Sequence, residues 1–511
     1  MAMNEIYFVD TTLRDGQLSL WATGMRTGMI LPVAAQMDHA GFKAAELVCY
    51  ASFKKAVREL REDLWERARL VSQRMPRTPL RIICGMRSGF QILPTSVFAL
   101  FMERCAANGI RQARLSDPAN TMSSLAQAVR IARDAGLEPI ANIIFSVSPK
   151  HTDEYYAQKA REAASLDATH LCLKDPSGLL TPERTRTLVP VLLQNSNRKL
   201  AEIHTHCTTG LGPLCLLEAM KMGITTVNTA IPPLAYGSSH TSVFNAARNA
   251  RTLGYTPMLD EQAIRPVTEH FTSIAKREGL PIGAPVEYDS AYYLHQVPGG
   301  MISNLRHQLA QLGLEEKLHE VLEETVRVRA EFGYPIMVTP YSQFVGVQAA
   351  MNVILGERYK EVTDEVIHYA LGLRGKEEAD SMDPSVRDTI LARPRARELA
   401  RWTPPEPSVE EVRKKWGGPG VSDDELLLRY LAGVEEVAAM RAAGPPKEYA
   451  SARHPLVTLI RELTTQNRWR SIHIQKGDLS LHLEKRREEV TSDETVTGLK
   501  PVPNDHIAEA V

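Results

Sequence analysis

From residue 6 to about residue 255, short β-branched or apolar runs alternate with longer stretches whose apolar residues recur at helical spacing. Eight runs predict strands: IYFVDTTL (6–13), AAELVCY (44–50), LRIICGM (80–86), QARLSDP (112–118), EPIANIIFSV (138–147), ATHLCLKDP (168–176), LAEIHTHC (200–207) and TTVNTAI (225–231). The intervening MERCAANGI and SSLAQAVRIARDAG predict amphipathic helices, with Gly109 and Gly136 as C-terminal caps. Such alternation predicts a parallel sheet, and eight βα units fit a closed (β/α)8 TIM barrel better than an open sheet. In that architecture chemistry belongs at the strand C-terminal ends. The polar letters gather there: Arg14, Asp15, Arg87, Asp117, Lys174, Asp175, His204 and His206.

After residue 255 the strand rhythm stops and helical text takes over, as in EQAIRPVTEHFTSIAKREG and PYSQFVGVQAAMNVILG. The expected organisation is a barrel over 1–258, a mostly helical C-terminal domain over 259–440 and a linker at 441–453. A helix followed by a small β-hairpin is expected over 454–487, with Lys476 and Gly477 at the turn, and a disordered acidic tail over 488–511.

With 43% hydrophobic and 24% charged residues, the 511-residue chain can bury a full core, which excludes disordered and collagen-like classes. Sixty basic against 61 acidic side chains give a net charge of -1, so no global field holds nucleic acid or anionic lipid. Six cysteines, none in a C-x-x-C pair, read as reduced thiols of a cytoplasmic enzyme. No apolar run approaches the roughly 20 residues that span a bilayer, and MAMNEIYFVD lacks the features of a signal peptide.

His204 and His206 stand two apart in a predicted strand, so both imidazoles point to one face, which in a barrel strand is the mouth. Neutral imidazoles so placed can hold a divalent metal, and a pair of polar rim residues is the competing reading. Asp15 supplies a carboxylate from strand one and favours the metal. Lys174, ending the apolar run LCLK, faces two fates. It forms a salt bridge to Asp175 or Asp117, or burial beside a cation keeps its amine neutral and open to carbamate formation.

The runs DTTLRDGQLSLWAT, SPKHTDEYY, HLCLKDPSGLLTP, IHTHCTTGLG, TAIPPLAYGSSH and VPGGMISNL together resemble the carboxyltransferase domain of biotin-dependent enzymes acting on 2-oxo acids. The family includes pyruvate carboxylase, the oxaloacetate decarboxylase alpha subunit and transcarboxylase, within a wider superfamily of metal-dependent lyases. The resemblance covers about residues 4–440. It implies zinc, or manganese or cobalt, held by Asp15, N-carboxylysine at Lys174, His204 and His206. It also implies that Ser303 relays a proton between biotin and the enolate, and that Arg87, with Arg14 and Gln17 nearby, contacts the acceptor. Carboxybiotin would come from a separate biotin carboxyl carrier subunit loaded by a biotin carboxylase subunit, with this chain a homodimer within the complex.

Two departures from the family pattern bear on the acceptor. R-D-G-Q-L-S replaces R-D-A-H-Q-S, placing Gln17 and Leu18 where histidine and glutamine are usual. CYASFKK places Lys54 where an aspartate is expected. Pyruvate is therefore not assured as the acceptor. E-A-M-K-M at 218–222 spells a biotinylation sequence, yet PLCLLEAMKMG reads as a helix, so Lys221 is expected to carry no biotin. The rival functions are a biotin-independent lyase or Claisen-type synthase on the same barrel, and a non-catalytic assembly scaffold.

Overall fold

The computed structural model describes residues 4–449 and 470–484, apart from 88, 90, 91, 299–301, 303, 304, 307, 308, 312, 419, 477 and 478. Eight parallel strands close on themselves: β1 (Glu5–Asp10), β2 (Ala44–Cys49), β3 (Leu80–Cys84), β4 (Ile110–Leu115), β5 (Glu138–Ile144), β6 (His170–Asp175), β7 (Leu200–Thr205) and β8 (Thr226–Thr229). They pair in sequence order, and β1 pairs with both β8 and β2, which completes the barrel predicted from the alternation. A two-residue strand, β9 (Thr256–Pro257), extends β1. The expected caps Gly109 and Gly136 have φ of +97° and +83°, the left-handed turn that ends a helix before the next strand.

The strands bury both faces. Their outer residues, such as Phe8, Ala113, Leu115, Ile203 and Val227, pack under the helices. The barrel interior holds an ionic cluster. Glu46 from β2, Arg81 from β3, Arg114 from β4 and Glu202 from β7 are all fully buried. Arg81 Nη1 lies 2.7 Å from Glu202 Oε1, and Arg114 Nη2 lies 2.7 Å from Glu46 Oε1. Arg114 Nη1 also donates to Asn228 Oδ1 of β8 at 2.7 Å.

Removing one member of a buried pair strands its partner's charge, at about 3–5 kcal/mol. Arg114→Met is therefore expected to destabilise the chain by that amount in urea unfolding. Arg111→Met, at the one exposed residue of the same strand, should stay within about 0.5 kcal/mol of wild type.

The helical residues divide between two cores. Helix Glu261–Glu278 buries Ile264, Val267, Phe271 and Ile274 in the barrel's core, and residues 409–449 join it through Val412, Leu426, Val437 and Met440. Between them, residues 297–399 build a second core around Val328, Phe332, Tyr341, Phe344 and Tyr369. Residues from 454 onward form a separate unit. In it β10 (Ser471–Lys476) pairs antiparallel with β11 (Leu479–Glu484), Lys476 opposite Leu479, as the alternating pattern predicts. The helix expected ahead of this hairpin and the tail at 488–511 lie outside the described residues. No described helix is long and apolar enough to cross a membrane.

Candidate metal centre

After β1 the chain turns through a short π-helical segment, Thr12–Gly16, which carries Asp15 over the mouth of the barrel. His204 sits in β7 and His206 just beyond its end. The loop leaving β8 folds back so that His240 pairs antiparallel with His206. The Nε2 atoms of His204, His206 and His240 lie 3.2, 3.5 and 3.4 Å from Asp15 Oδ2. One atom from each of the four residues can be chosen so that all lie within 4.8 Å of one another. A tetrahedron with bonds of about 2.1 Å has edges of about 3.4 Å, so this spacing fits a small divalent ion.

Hydrogen bonds orient the ligand atoms. His206 Nδ1 donates to the Ser238 carbonyl at 2.7 Å and His240 Nδ1 to the Thr205 carbonyl at 3.1 Å. His204 Nδ1 stands 2.9 Å from Asn228 Oδ1. Protons on Nδ1 of His206 and His240 leave their Nε2 lone pairs directed at the shared centre, the arrangement in which outer carbonyls fix metal-binding imidazoles, while His204 Nδ1 also faces the Arg114 guanidinium, whose Nη1 and Nη2 each lie 3.0 Å away. The Nε2 atoms of His204 and His240 are buried without a hydrogen-bond partner. Buried polar atoms without partners are costly, and a cation would satisfy both.

The electrostatics agree. Burial would raise the Asp15 carboxyl, but the Arg14 guanidinium at 2.7 Å and the imidazoles hold it well below the usual carboxylate range. Burial, then Arg114 and His240, push the His204 imidazole well below its ordinary value. Burial and His206 lower His240 to about 4. At neutral pH Asp15 is therefore a carboxylate, and His204 and His240 are neutral donors.

Lys174 is the last inward residue of β6 and pairs in register with His204. Burial, Arg114 and Arg14 lower its ammonium to about 8. Among the described residues it makes no ion pair. The Asp175 carboxylate instead accepts from the Leu179 and Leu180 amides at 2.9 Å and the Thr205 hydroxyl at 2.8 Å. Asp117 likewise serves its own loop, accepting from the Ala119 and Thr121 amides at 3.0 Å. Neither carboxylate expected as the salt-bridge partner of Lys174 takes that role.

Arg14 is buried, with its guanidinium shared between Asp15 and Glu46. Gln17 is buried beside it, its Oε1 accepting from the Met25 amide at 3.2 Å. Arg87 follows β3 on the mouth side, half-buried. Ser303 lies outside the described residues. Lys54 is exposed and Leu18 is 40% exposed. Lys221 ends helix Gly212–Lys221 and donates to Glu218 Oε1 at 2.9 Å, so E-A-M-K-M is helical here as its apolar spacing predicts.

His240 was legible only as a histidine in the loop after strand eight. Strand eight lies between strands seven and one, so this loop opens beside His206 and Asp15, and that topology was the available signal.

A cavity of about 400 Å³ opens past the ends of β5 and β6, lined by Ser146, His151, Thr181, Arg184 and Tyr293 among others. Burial, Arg329 and Lys150 lower His151 to about 3. Its neutral folded form confers stability that is complete above the unfolded value near 6.5 and is lost as the pH falls toward 3. Wild type is expected to lose about 2 kcal/mol more than His151→Asn between pH 7 and pH 5, read by urea unfolding at each pH.

Two family domains match the chain in order: HMGL-like over residues 5–270 and the conserved carboxylase domain over residues 292–432. A pyruvate carboxylase subunit of Methanocaldococcus jannaschii is 35% identical over 469 residues, covering 90% of this chain and 82% of that protein. The methylmalonyl-CoA carboxyltransferase 5S subunit of Propionibacterium freudenreichii subsp. shermanii is 31% identical over 451 residues, covering 86% and 89%. The carboxyl transferase domain of Rhizobium etli pyruvate carboxylase, solved with pyruvate, superposes with a TM-score of 0.77 at 25% identity, covering 86% of this chain and 78% of that one. With both domains in place and such identity along most of its length, this enzyme chain belongs to the family of carboxyltransferase subunits of biotin-dependent carboxylases.

Proposed function

We propose that the barrel mouth moves a carboxyl group between carboxybiotin and a small 2-oxo acid, with biotin carried by a separate subunit and charged by a biotin carboxylase subunit. The observation that carries this reading is the convergence of three imidazoles on Asp15, beside the lowered amine of Lys174. A divalent metal, zinc first and manganese or cobalt next, would be held by Asp15, His204 and His206, with Lys174 as N-carboxylysine and His240 as a further donor. When bound, it supplies Lewis acidity for a carbonyl on which negative charge develops.

The chain's own groups do the rest. Arg87 offers a planar guanidinium for bidentate grip of the acceptor carboxylate. Arg14 fixes the Asp15 carboxylate and, with Gln17, lines the acceptor side. Ser303 can accept a proton from the acceptor and donate one to the ureido nitrogen of biotin, because a hydroxyl does both without a formal charge. Positive charge already in place around the forming enolate is the largest contribution to rate. Leu18 and Lys54, which replace polar family residues, point to an acceptor other than pyruvate. A homodimer in the cytoplasm completes the proposal.

The test is to reconstitute the chain with its co-purifying subunits and screen 2-oxo acids for fixation of labelled bicarbonate. Avidin-sensitive fixation with stoichiometric metal is expected. Metal-dependent cleavage of an acyl-CoA without biotin would instead establish the lyase reading.

A further inference from the structure

We infer that Arg374, from the helical domain, is a positioning residue for Arg87 and so sets the affinity for the acceptor carboxylate; this rests on the role proposed above for Arg87. Two bonds run in opposite directions between the two arginines' segments. Arg87 Nη1 donates to the Arg374 carbonyl at 3.4 Å, and Arg374 Nη1 donates to the Gly89 carbonyl at 2.8 Å. Arg374 thus holds the loop after β3 at two points, the Arg87 guanidinium and the Gly89 backbone.

Arg374 is itself well anchored. Its carbonyl also accepts from the Tyr341 hydroxyl at 3.0 Å. Tyr341 is fully buried, with edge contacts to Phe344 and Tyr369 in the second core. Just past helix Asp364–Ala370, Gly372 with its φ of +82° turns the chain sharply and delivers Arg374 to the barrel side. Arg374 is 3% exposed, so it acts from behind the loop rather than from solvent.

A loop-borne arginine loses side-chain and loop freedom when it grips a carboxylate, and this cost weakens binding. Holding the loop in place beforehand removes part of that cost. The barrel and the second core are then coupled through acceptor binding, and the helical domain contributes to the site without touching the reacting atoms.

The test uses full-length chain in the reconstituted complex, with pyruvate and 2-oxoglutarate as probes and labelled bicarbonate as readout. Arg374→Met, which deletes the bond to Gly89, is expected to raise KM for the probe that turns over about tenfold, the effect of one well-placed hydrogen bond. Its kcat should stay within about threefold and its KM for bicarbonate unchanged. Arg374→Lys should recover part of the loss. Tyr341→Phe removes only the hydroxyl behind the Arg374 carbonyl and should raise the same KM about threefold.

A lower Tm with unchanged KM in both Arg374→Met and Tyr341→Phe would reduce Arg374 to a structural bond and overturn the inference. If Arg87→Met also leaves KM unchanged, the role given to Arg87 falls and the inference with it. Fixation on neither probe nor any other 2-oxo acid of the screen overturns both.

Discussion

Asp15→Asn is expected to bind less than a tenth of the wild-type metal and to lose carboxyl transfer by about a thousandfold. The three Nε2 atoms converge on Asp15 Oδ2, so Asp15 is the member the other donors share. Its carboxylate is anionic because Arg14 holds it so against the effect of burial. An amide of the same shape keeps the packing but removes the charge, so three imidazoles must hold a divalent ion without their anion. The fold should tolerate the change. Arg14 retains Glu46, to which its Nε donates at 3.0 Å, so no guanidinium is stranded in the barrel. Metal analysis of the purified variant, circular dichroism and the bicarbonate fixation assay together check the expectation. Full metal content with normal transfer in Asp15→Asn would move the centre away from the barrel mouth.

The barrel was legible because its signal is periodic and repeated. Eight apolar runs at similar spacing leave few other architectures, and a one-residue error in any strand end does not alter the count. His204 and His206 were legible because alternation along a strand is a local rule. His240 was not, because its place depends on a loop folding back on β7, which no local pattern reports. The ionic interior was written in plain sight as single charged letters inside AAELVC, QARL and AEIH. Placing Arg114 against Glu46 needs the register of strands far apart in sequence, and that information is tertiary. Arg374 gave no signal at all, since its partner Gly89 is 285 residues away and contributes only a carbonyl.

The ionic interior also bears on the centre it supports. Arg114 Nη1 and Nη2 each lie 3.0 Å from His204 Nδ1, while the same guanidinium pairs with Glu46 and bonds Asn228. One buried cation therefore links the orientation of the His204 imidazole, proposed above as a metal ligand, to the ion pairs inside the barrel. It also helps lower the Lys174 ammonium. An aliphatic interior would pack as well but could perform neither task.

Lys174→Ala and His240→Ala are expected to part company. With Lys174 beside the carboxylate and three imidazoles, the centre has one donor more than a tetrahedral site needs, so one of Lys174 and His240 is in excess at any moment. The barrel mouth already holds the Arg14 and Arg114 guanidiniums. Asp15 and Glu46 already balance those two cations, so a divalent ion beside them needs further negative charge, because buried charges must be balanced. An imidazole adds no charge, whereas a carbamate on Lys174 adds a full negative one. His240→Ala should therefore keep most of its metal and lose transfer by about tenfold, as for loss of a group that tunes the site. Lys174→Ala should lose metal and lose transfer by about a thousandfold. Short carboxylic acids such as formate or propionate should restore part of both by standing where the carbamate stood. Carbon-13 NMR of protein loaded with labelled bicarbonate should give a carbamate signal in wild type that is missing in Lys174→Ala. If Lys174→Ala keeps its metal while His240→Ala loses it, the fourth ligand is the imidazole and Lys174 acts as a free amine.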